Sequence, residues 1–323
     1  MKVQIYGAGM SGSFLYMLLR DHLKVKITDV RSKPPCECAW EIPYNEAKRL
    51  YSLIGVDFDG YILAKPDHII INGIEFKNLR LVLFDKRRFL ADLWREIEFG
   101  ESRADLRVDA TGTERDLLPR IKDDKIYFTV QFLEKHRIKE DIFIYIRRTG
   151  YAWAFPLSNR LWHIGAGERN TQEAMRLLEI LRRKYGFKEE RNLCHCRSHV
   201  RLLPPSRCMP FLHDDIVGVG EAIGCISGFG EGNLPALQSA KILYECIIND
   251  RLGEYEHRIL SEFKWIEGEH EFVRQTQSRE KMNRSKVASK VASIFARRAM
   301  IPTPKTFKDA ICQSRLRPSE QSR

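Results

Sequence analysis

The chain has 323 residues, 43% of them hydrophobic and 30% charged, with a formal net charge of +11. That length can bury a large core and predicts two domains, and the apolar fraction excludes a disordered chain. No apolar run approaches the ~18 residues that span a bilayer, which excludes a helical integral membrane protein. The strand pattern starts at Lys2 and leaves no room for a signal peptide, so a cytoplasmic protein is expected, with its eight cysteines as reduced thiols. Much of the positive excess lies between Arg274 and Arg323 and is a property of a tail.

In chain order, the strand-like residues 3–6 run into Gly7-Ala8-Gly9-Met10-Ser11-Gly12 and then into an apolar helix pattern over 14–19. A second strand pattern over 25–28 ends at Asp29, giving one βαβ unit with the spacing of a dinucleotide fingerprint. Gly7 permits the tight turn, Gly9 lets the backbone approach a pyrophosphate, and Gly12 lets helix and strand close on each other. The N–H groups of Met10 and Ser11 at the helix start would meet that pyrophosphate. Asp29 can accept from a ribose 2′-OH, which favours FAD or NAD over a 2′-phosphorylated cofactor.

The segment 31–40 has two prolines and no periodicity, so it reads as a loop. Its Cys36 and Cys38 are a redox pair, half a metal site or packed thiols. A helix is predicted over 45–53, a hairpin about Asn72-Gly73 in a second, sheet-built domain, and a helix over 86–94. The strand 105–109 ends in Asp109-Ala110-Thr111-Gly112, either an ordinary strand-end turn or a second contact to the cofactor.

Residues 125–146 read as sheet. Tyr151, Trp153 and Phe155 then share one face of a strand that Pro156 stops, as a face packed on a helix or as the wall of an apolar ligand site. A helix is predicted over 171–184. Cys194, His195, Cys196 and His199 invite a metal, but strand alternation sends them to different faces, and no metal is predicted. From Ile216 an apolar strand leads through Gly220 and Glu221 to Gly228, Gly230, Gly232 and Asn233, ahead of a helix over 234–249. Glu221 can accept from a sugar-like hydroxyl, and the loop's N–H groups form a nest for a partly anionic ring edge. Beyond Gly253 the chain reads as helical. Its last helix, about 286–300, has Val287, Val291, Ile294 and Phe295 on one side and is ended by Pro302 and Pro304.

The three signatures in this order, 7–12, 109–112 and 220–233, resemble the FAD-binding pattern of the p-hydroxybenzoate hydroxylase-like flavoproteins. Within that superfamily, Tyr151-x-Trp153-x-Phe155-Pro156 followed by Gly165-Ala166-Gly167, with Lys33-Pro34-Pro35-Cys36, resembles the geranylgeranyl reductase family over roughly residues 1–270. The resemblance implies an α/β fold in three parts. These are a Rossmann-like FAD-binding domain (1–60, 85–115 and 205–250), an interleaved β-sheet substrate domain (61–84 and 116–204) and a helical, basic C-terminal region (251–323).

It implies an FAD enzyme that saturates C=C bonds of a polyprenyl chain, with Tyr151, Trp153, Phe155 and Pro156 around the substrate. Cys36 would lie beside the flavin as a catalytic thiol, with water as the other proton source. The electron donor would be ferredoxin or NAD(P)H. The family's aspartate after the glycine of the last signature is Glu221 here, and its flavin-proximal arginine falls to Arg87 or Arg88. The span 94–105 is short, which predicts a trimmed strand near the adenine. Two alternatives are an aromatic hydroxylase of the same superfamily and a non-catalytic flavoprotein binding acidic partners through its basic tail. Without stacking aromatics among the basic residues, no nucleic acid is expected. The last helix and tail are instead expected to hold the protein peripherally on an anionic membrane surface.

Overall fold

The computed structural model describes residues 1–34, 39–188, 192–278 and 284–303. Cys36 and Cys38 lie outside the described residues. The fingerprint folds as β1 (Lys2–Tyr6), α1 (Met10–Leu19) and β2 (Lys24–Thr28), with β1 and β2 parallel. In β1 not only Val3 and Ile5 but also Gln4 is fully buried, as befits a central parallel strand covered on both faces. β8 (Leu106–Asp109) pairs with β1, and β15 (Ile216–Gly218) pairs with β8, all parallel, while β14 (Leu212–His213) runs antiparallel at the edge. α1 packs on α5 (Asn233–Ile248), and every residue of α1 is buried. Among the described residues the sheet continues beyond β2 only as a single bridge between Ile27 and Phe99, the trimmed strand that the short span predicts.

The second sheet has eight strands in the order β13-β9-β12-β11-β10-β5-β6-β16. They are β5 (His68–Ile71), β6 (Ile74–Asn78), β9 (Ile126–Lys135), β10 (Ile142–Ile146), β11 (Tyr151–Pro156), β12 (Leu161–Glu168), β13 (Asn192–Arg201) and β16 (Met300–Pro302). The predicted Asn72-Gly73 hairpin joins β5 to β6, and both turn residues have positive φ, 54° and 94°. α4 (Thr171–Tyr185) covers one face of this sheet. Asn170 caps it by accepting from the Glu173 N–H at 2.9 Å, and Gly186 ends it in the left-handed region.

Two placements differ from the sequence reading. β4 (Ile62–Ala64) and β7 (Leu81–Phe84) do not join the large sheet; with β3 (Glu41–Pro43) they form a small three-stranded sheet of their own. Its strands are short and its β7 is buried throughout, so it is a bracket between the two main bodies, below which α2 (Tyr44–Ser52) and α3 (Lys86–Glu96) return to the first sheet. The C-terminal region also adds strand to its helices α6 (Tyr255–Glu262), α7 (Lys264–Ser278) and α8 (Arg284–Arg297): β16 pairs antiparallel with β6 and closes the edge of the large sheet.

Candidate active site

The three glycines of the fingerprint have three distinct environments. Gly7 has φ +98°, and a Cβ there would sit 2.4 Å from the Ala110 carbonyl oxygen. At Gly12 a Cβ would fall 1.9 Å from the Gly7 oxygen, so helix and turn close on each other only without one. Gly9 differs: nothing lies within 4 Å of a Cβ built on it, so the open space beside it is a place for a ligand. Asp29 holds this turn from the side, with the Ala8 N–H donating to its Oδ2 at 2.8 Å and Arg31 donating through N and Nε to its Oδ1. Those donors hold its pKa below the usual value in spite of burial, which pushes the other way. Arg31, not Asp29, faces the cavity.

The second loop is organised by Asp109. Its side chain is buried and accepts from Thr111 N–H and Oγ, and from the N–H groups of Leu117 and Leu118, so its role is to shape the loop rather than to touch a ligand. Thr111, Gly112 and Thr113 present their backbone to the cavity instead. Arg201, 2% exposed, ties this loop to the third signature. It donates to the carbonyls of Gly112, Thr113 and Glu221 and pairs with Asp124, while its own N–H donates to Glu221 Oε1 at 2.6 Å. Burial pushes the Glu221 carboxyl pKa up. Gly220, with φ +70°, lets the Ser11 hydroxyl approach to where a Cβ would sit 2.6 Å from it, so the helix start of the fingerprint rests on the third signature. No sequence signal pointed to Arg201; it sits at the end of a strand in an ordinary position for a surface arginine.

The face of the large sheet opposite α4 forms the other wall. Strand register places Gln131, Gly165, Trp153, Ile144 and Ile71 in one row, and Thr129, Gly167, Tyr151 and Ile146 in the next. The two glycines explain the motif: a Cβ on Gly165 would lie 2.3 Å from the Trp153 ring, and one on Gly167 3.2 Å from the Tyr151 ring. The rings lie across the strand where the glycines leave room, and Tyr151, Trp153 and Phe155 stack successively at 5.6 and 6.4 Å. Pro156 ends the strand, buried, without lining the cavity. Trp153 Nε1 donates to His163 Nδ1 at 3.1 Å, and burial, with the Lys86 ammonium second, pushes the His163 pKa down to about 3, so the ring is neutral.

Between these walls lies a cavity of about 500 Å³, running from Gly9 and Thr111 to the aromatic strand. α8 roofs it. Val291, Ile294 and Phe295 line the cavity, and Phe295 packs on Phe76 at 4.7 Å between ring centroids. This corrects the reading of that stripe as a membrane-docking face: its described apolar residues are turned into the protein, and Val287 is among those whose side chains are not described. Arg298, at the end of α8, is buried between Glu231 of the glycine loop and Glu269 of α7, donating to both at 2.5–3.2 Å.

The structure gathers Gly9, Met10, Ser11, Gly112, Glu221, Gly230, Gly232 and Asn233 with Tyr151, Trp153 and Phe155 around one space. Gly7, Gly12, Asp29, Asp109 and Gly220 build the backbone behind it. Arg88 is not brought there: it lies outside, over the Tyr61 ring, and donates to the Gly60 carbonyl, while Lys86, two residues earlier, lines the cavity. Two buried oxygens on the cavity wall, Glu41 Oε2 and Gln131 Oε1, have no hydrogen-bond partner among the described residues. Neither was legible in the sequence. Among the described residues no group of His, Cys, Asp and Glu is placed to hold a metal; Cys194 and Cys196 lie on β13.

The fold is shared over nearly the whole chain with a geranylgeranyl bacteriochlorophyll reductase-like protein from Thermoplasma acidophilum, at TM-score 0.69 and 16% identity, covering 95% of this chain and 98% of that one. Klebsiella pneumoniae HpxO, solved with FAD and uric acid, superposes at TM-score 0.64 with 13% identity, covering 97% and 96%. PqsL of Pseudomonas aeruginosa, a probable FAD-dependent monooxygenase, gives 0.63 with 15% identity, covering 92% and 99%. The chain has the fold of the FAD-binding flavoproteins. In sequence it is 26% identical to an uncharacterized protein of Methanocaldococcus jannaschii, over 85% of this chain and 92% of that protein. No protein-family model matches it.

Proposed function

We propose that the chain is an FAD-dependent oxidoreductase that saturates C=C bonds of a polyprenyl chain. The observation that carries this reading is the composition of the cavity: one end is a glycine cradle with open space at Gly9, and the other is walled by three stacked rings and by Ile69, Ile71, Ile144 and Ile146. The residues fit the cofactor. The α1 N-terminus and the open Gly9 suit a pyrophosphate, Glu221 and the Thr111–Thr113 backbone suit ribityl hydroxyls, and the 228–232 loop suits the ring edge. Bound and reduced, FAD supplies a hydride. The chain's own task is to exclude water, to hold an apolar double bond beside the cradle and to provide a proton. α8 and the ring wall serve the first two.

The electron donor in this reading is ferredoxin or NAD(P)H, and the meeting with a lipid substrate takes place at an anionic membrane surface, for which the net charge of +11 is the support. No helix among the described residues is long and apolar enough to cross a membrane. Gln131, Thr129 and Ser198 give the cavity a polar corner, which favours the second reading, hydroxylation of a polar aromatic molecule. The deciding experiment reduces the flavin-loaded protein chemically, adds a geranylgeranyl lipid without oxygen, and analyses the product by mass. A gain of two hydrogens per bond supports the reductase. Substrate-stimulated oxygen uptake with an added hydroxyl, and no saturation, overturns it. Trp153→Ala is expected to reduce turnover at least about tenfold while flavin content stays within a factor of two.

A further inference from the structure

Glu41 opens β3 and is held there from two directions. Its backbone pairs with Leu83 of β7, and Asn233 Nδ2 donates to its carbonyl at 2.9 Å and to that of Ala39 at 3.0 Å, which ties the strand to the end of the glycine loop. The residue is 8% exposed, and its Oε2 has no partner among the described residues. Glu41 also stands in a wall with two sides. On one is the apolar cavity; on the other is a second cavity of about 280 Å³ whose lining includes Arg80, Gln238, Glu262 and Lys264. A carboxyl so placed can face an apolar ligand and exchange its proton with a polar space behind.

Three charged groups face it from the neighbouring elements: Glu231 of the glycine loop, Lys86 at the start of α3 and Arg298 at the end of α8. Burial first, and the Glu231 carboxylate second, push the Glu41 pKa up to about 8, against the opposing cations, so the acid keeps its proton at neutral pH. His163, a titratable ring near the aromatic wall, is neutral for the same reason, burial, which shifts a base downward, so it carries no imidazolium proton to give at that pH.

We propose that Glu41 is the proton donor of the cavity, delivering its carboxyl proton to one carbon of the C=C bond while the hydride goes to the other. This rests on the reductase reading above. In balance, the π bond, the Glu41 O–H bond and the N–H bond of the reduced flavin that carries the hydride would break and two C–H bonds would form; the alkene is reduced, the reduced flavin is the species oxidised, and Glu41 ends as a carboxylate. The second cavity then returns a proton from water.

The test uses the full-length flavin-loaded protein as wild type, Glu41→Gln and Glu41→Asp. In infrared spectra at pH 7, the wild type is expected to show a protonated carboxyl band that Glu41→Gln lacks and that titrates near pH 8. With chemically reduced enzyme and a geranylgeranyl lipid, Glu41→Gln is expected to turn over about 100-fold more slowly at unchanged flavin content, and Glu41→Asp to recover part of the rate. Wild-type turnover is expected to fall as pH rises past 8. Turnover of Glu41→Gln at the wild-type rate overturns the assignment, as does a Glu41 carboxyl already ionised at pH 6, and both leave the reductase reading intact. A wild type that shows the band but reduces no polyprenyl chain overturns that reading, and with it the role given to Glu41.

Discussion

The Tyr151 hydroxyl lies where a side chain on Gly230 would begin: a Cβ built there would stand 2.2 Å from it, at a φ of +85°. The substrate wall and the glycine loop are therefore fitted to each other through one hydroxyl and one missing methyl. Gly230→Ala is expected to destabilise the protein by roughly 1–3 kcal/mol, from overpacking and left-handed strain together, and to weaken flavin uptake. In a double-mutant cycle, Tyr151→Ala should restore part of that loss. Additive effects of the two substitutions would mean that the contact is not what constrains the loop.

Gly9 and Gly12 separate folding from cofactor binding. Gly9→Ala places its methyl in open space at an ordinary φ of −75°, so its melting temperature should match the wild type while FAD affinity falls at least about tenfold. Gly12→Ala drives a methyl into the Gly7 carbonyl and should fail to fold at normal yield. If Gly9→Ala binds FAD as the wild type does, the cradle holds some other part of the ligand.

Much of this was legible because the signals are local. The roles of Gly7 and Gly12 follow from the turn and the helix that start there, and the Asn72-Gly73 hairpin follows from two residues that tolerate positive φ. What the sequence could not show is which surface meets which. The stripe on α8 is amphipathic whether a membrane, a partner or the protein's own sheet covers it, and the three-residue β16, too short and proline-ended to be read as a strand, helps to hold α8 over the cavity. Arg88 and Lys86 both lie in the first turn of α3, and a residue-type match favoured the arginine although the helix turns the lysine inward. Glu41 carried no motif, being one acid in an apolar strand.

Arg298 pairs with two carboxylates, the buried Glu269 and the half-buried Glu231. Burial pushes the Glu269 carboxyl pKa up even with the arginine beside it, so removing the cation strands that buried acid. Arg298→Met is expected to destabilise by about 3 kcal/mol, read as a shift in the denaturation midpoint at pH 7, and the loss is expected to lessen at pH 5 as the buried Glu269 carboxyl protonates. A loss that does not change with pH would mean that packing, not charge, is what Arg298 contributes.

The raised pKa of Glu41 sets a direction for stability against pH. Between its ordinary value of 4.5 and about 8, the native state holds a proton that the unfolded chain releases, so this group's contribution is complete below pH 4.5 and lost by pH 8. The buried neutral rings of His163 and His270, pushed down to about 3 and about 4, act in the opposite sense below pH 6.5. The clean window is therefore pH 6.5 to 8. There the wild type should lose stability relative to Glu41→Gln, by up to about 2 kcal/mol. A difference that stays flat across the window would show that Glu41 is ionised in the native state.

Phe295 decides between the two uses of the last helix. Its ring packs on Phe76 in the large sheet and lines the cavity, and Met300, five residues on, is buried in the strand that holds the helix down. An aspartate in place of that ring loses the packing and carries a charge toward an apolar space, a loss of about 2 kcal/mol or more. At this chain length that lowers the melting temperature by roughly 4 °C or more. Phe295→Asp should also admit a hydrophobic dye to the cavity, while binding to anionic liposomes at low salt, resting on basic residues it leaves in place, should be unchanged. A membrane-inserted stripe predicts the reverse, with melting unaffected and liposome binding lost, and that result would detach α8 from the cavity.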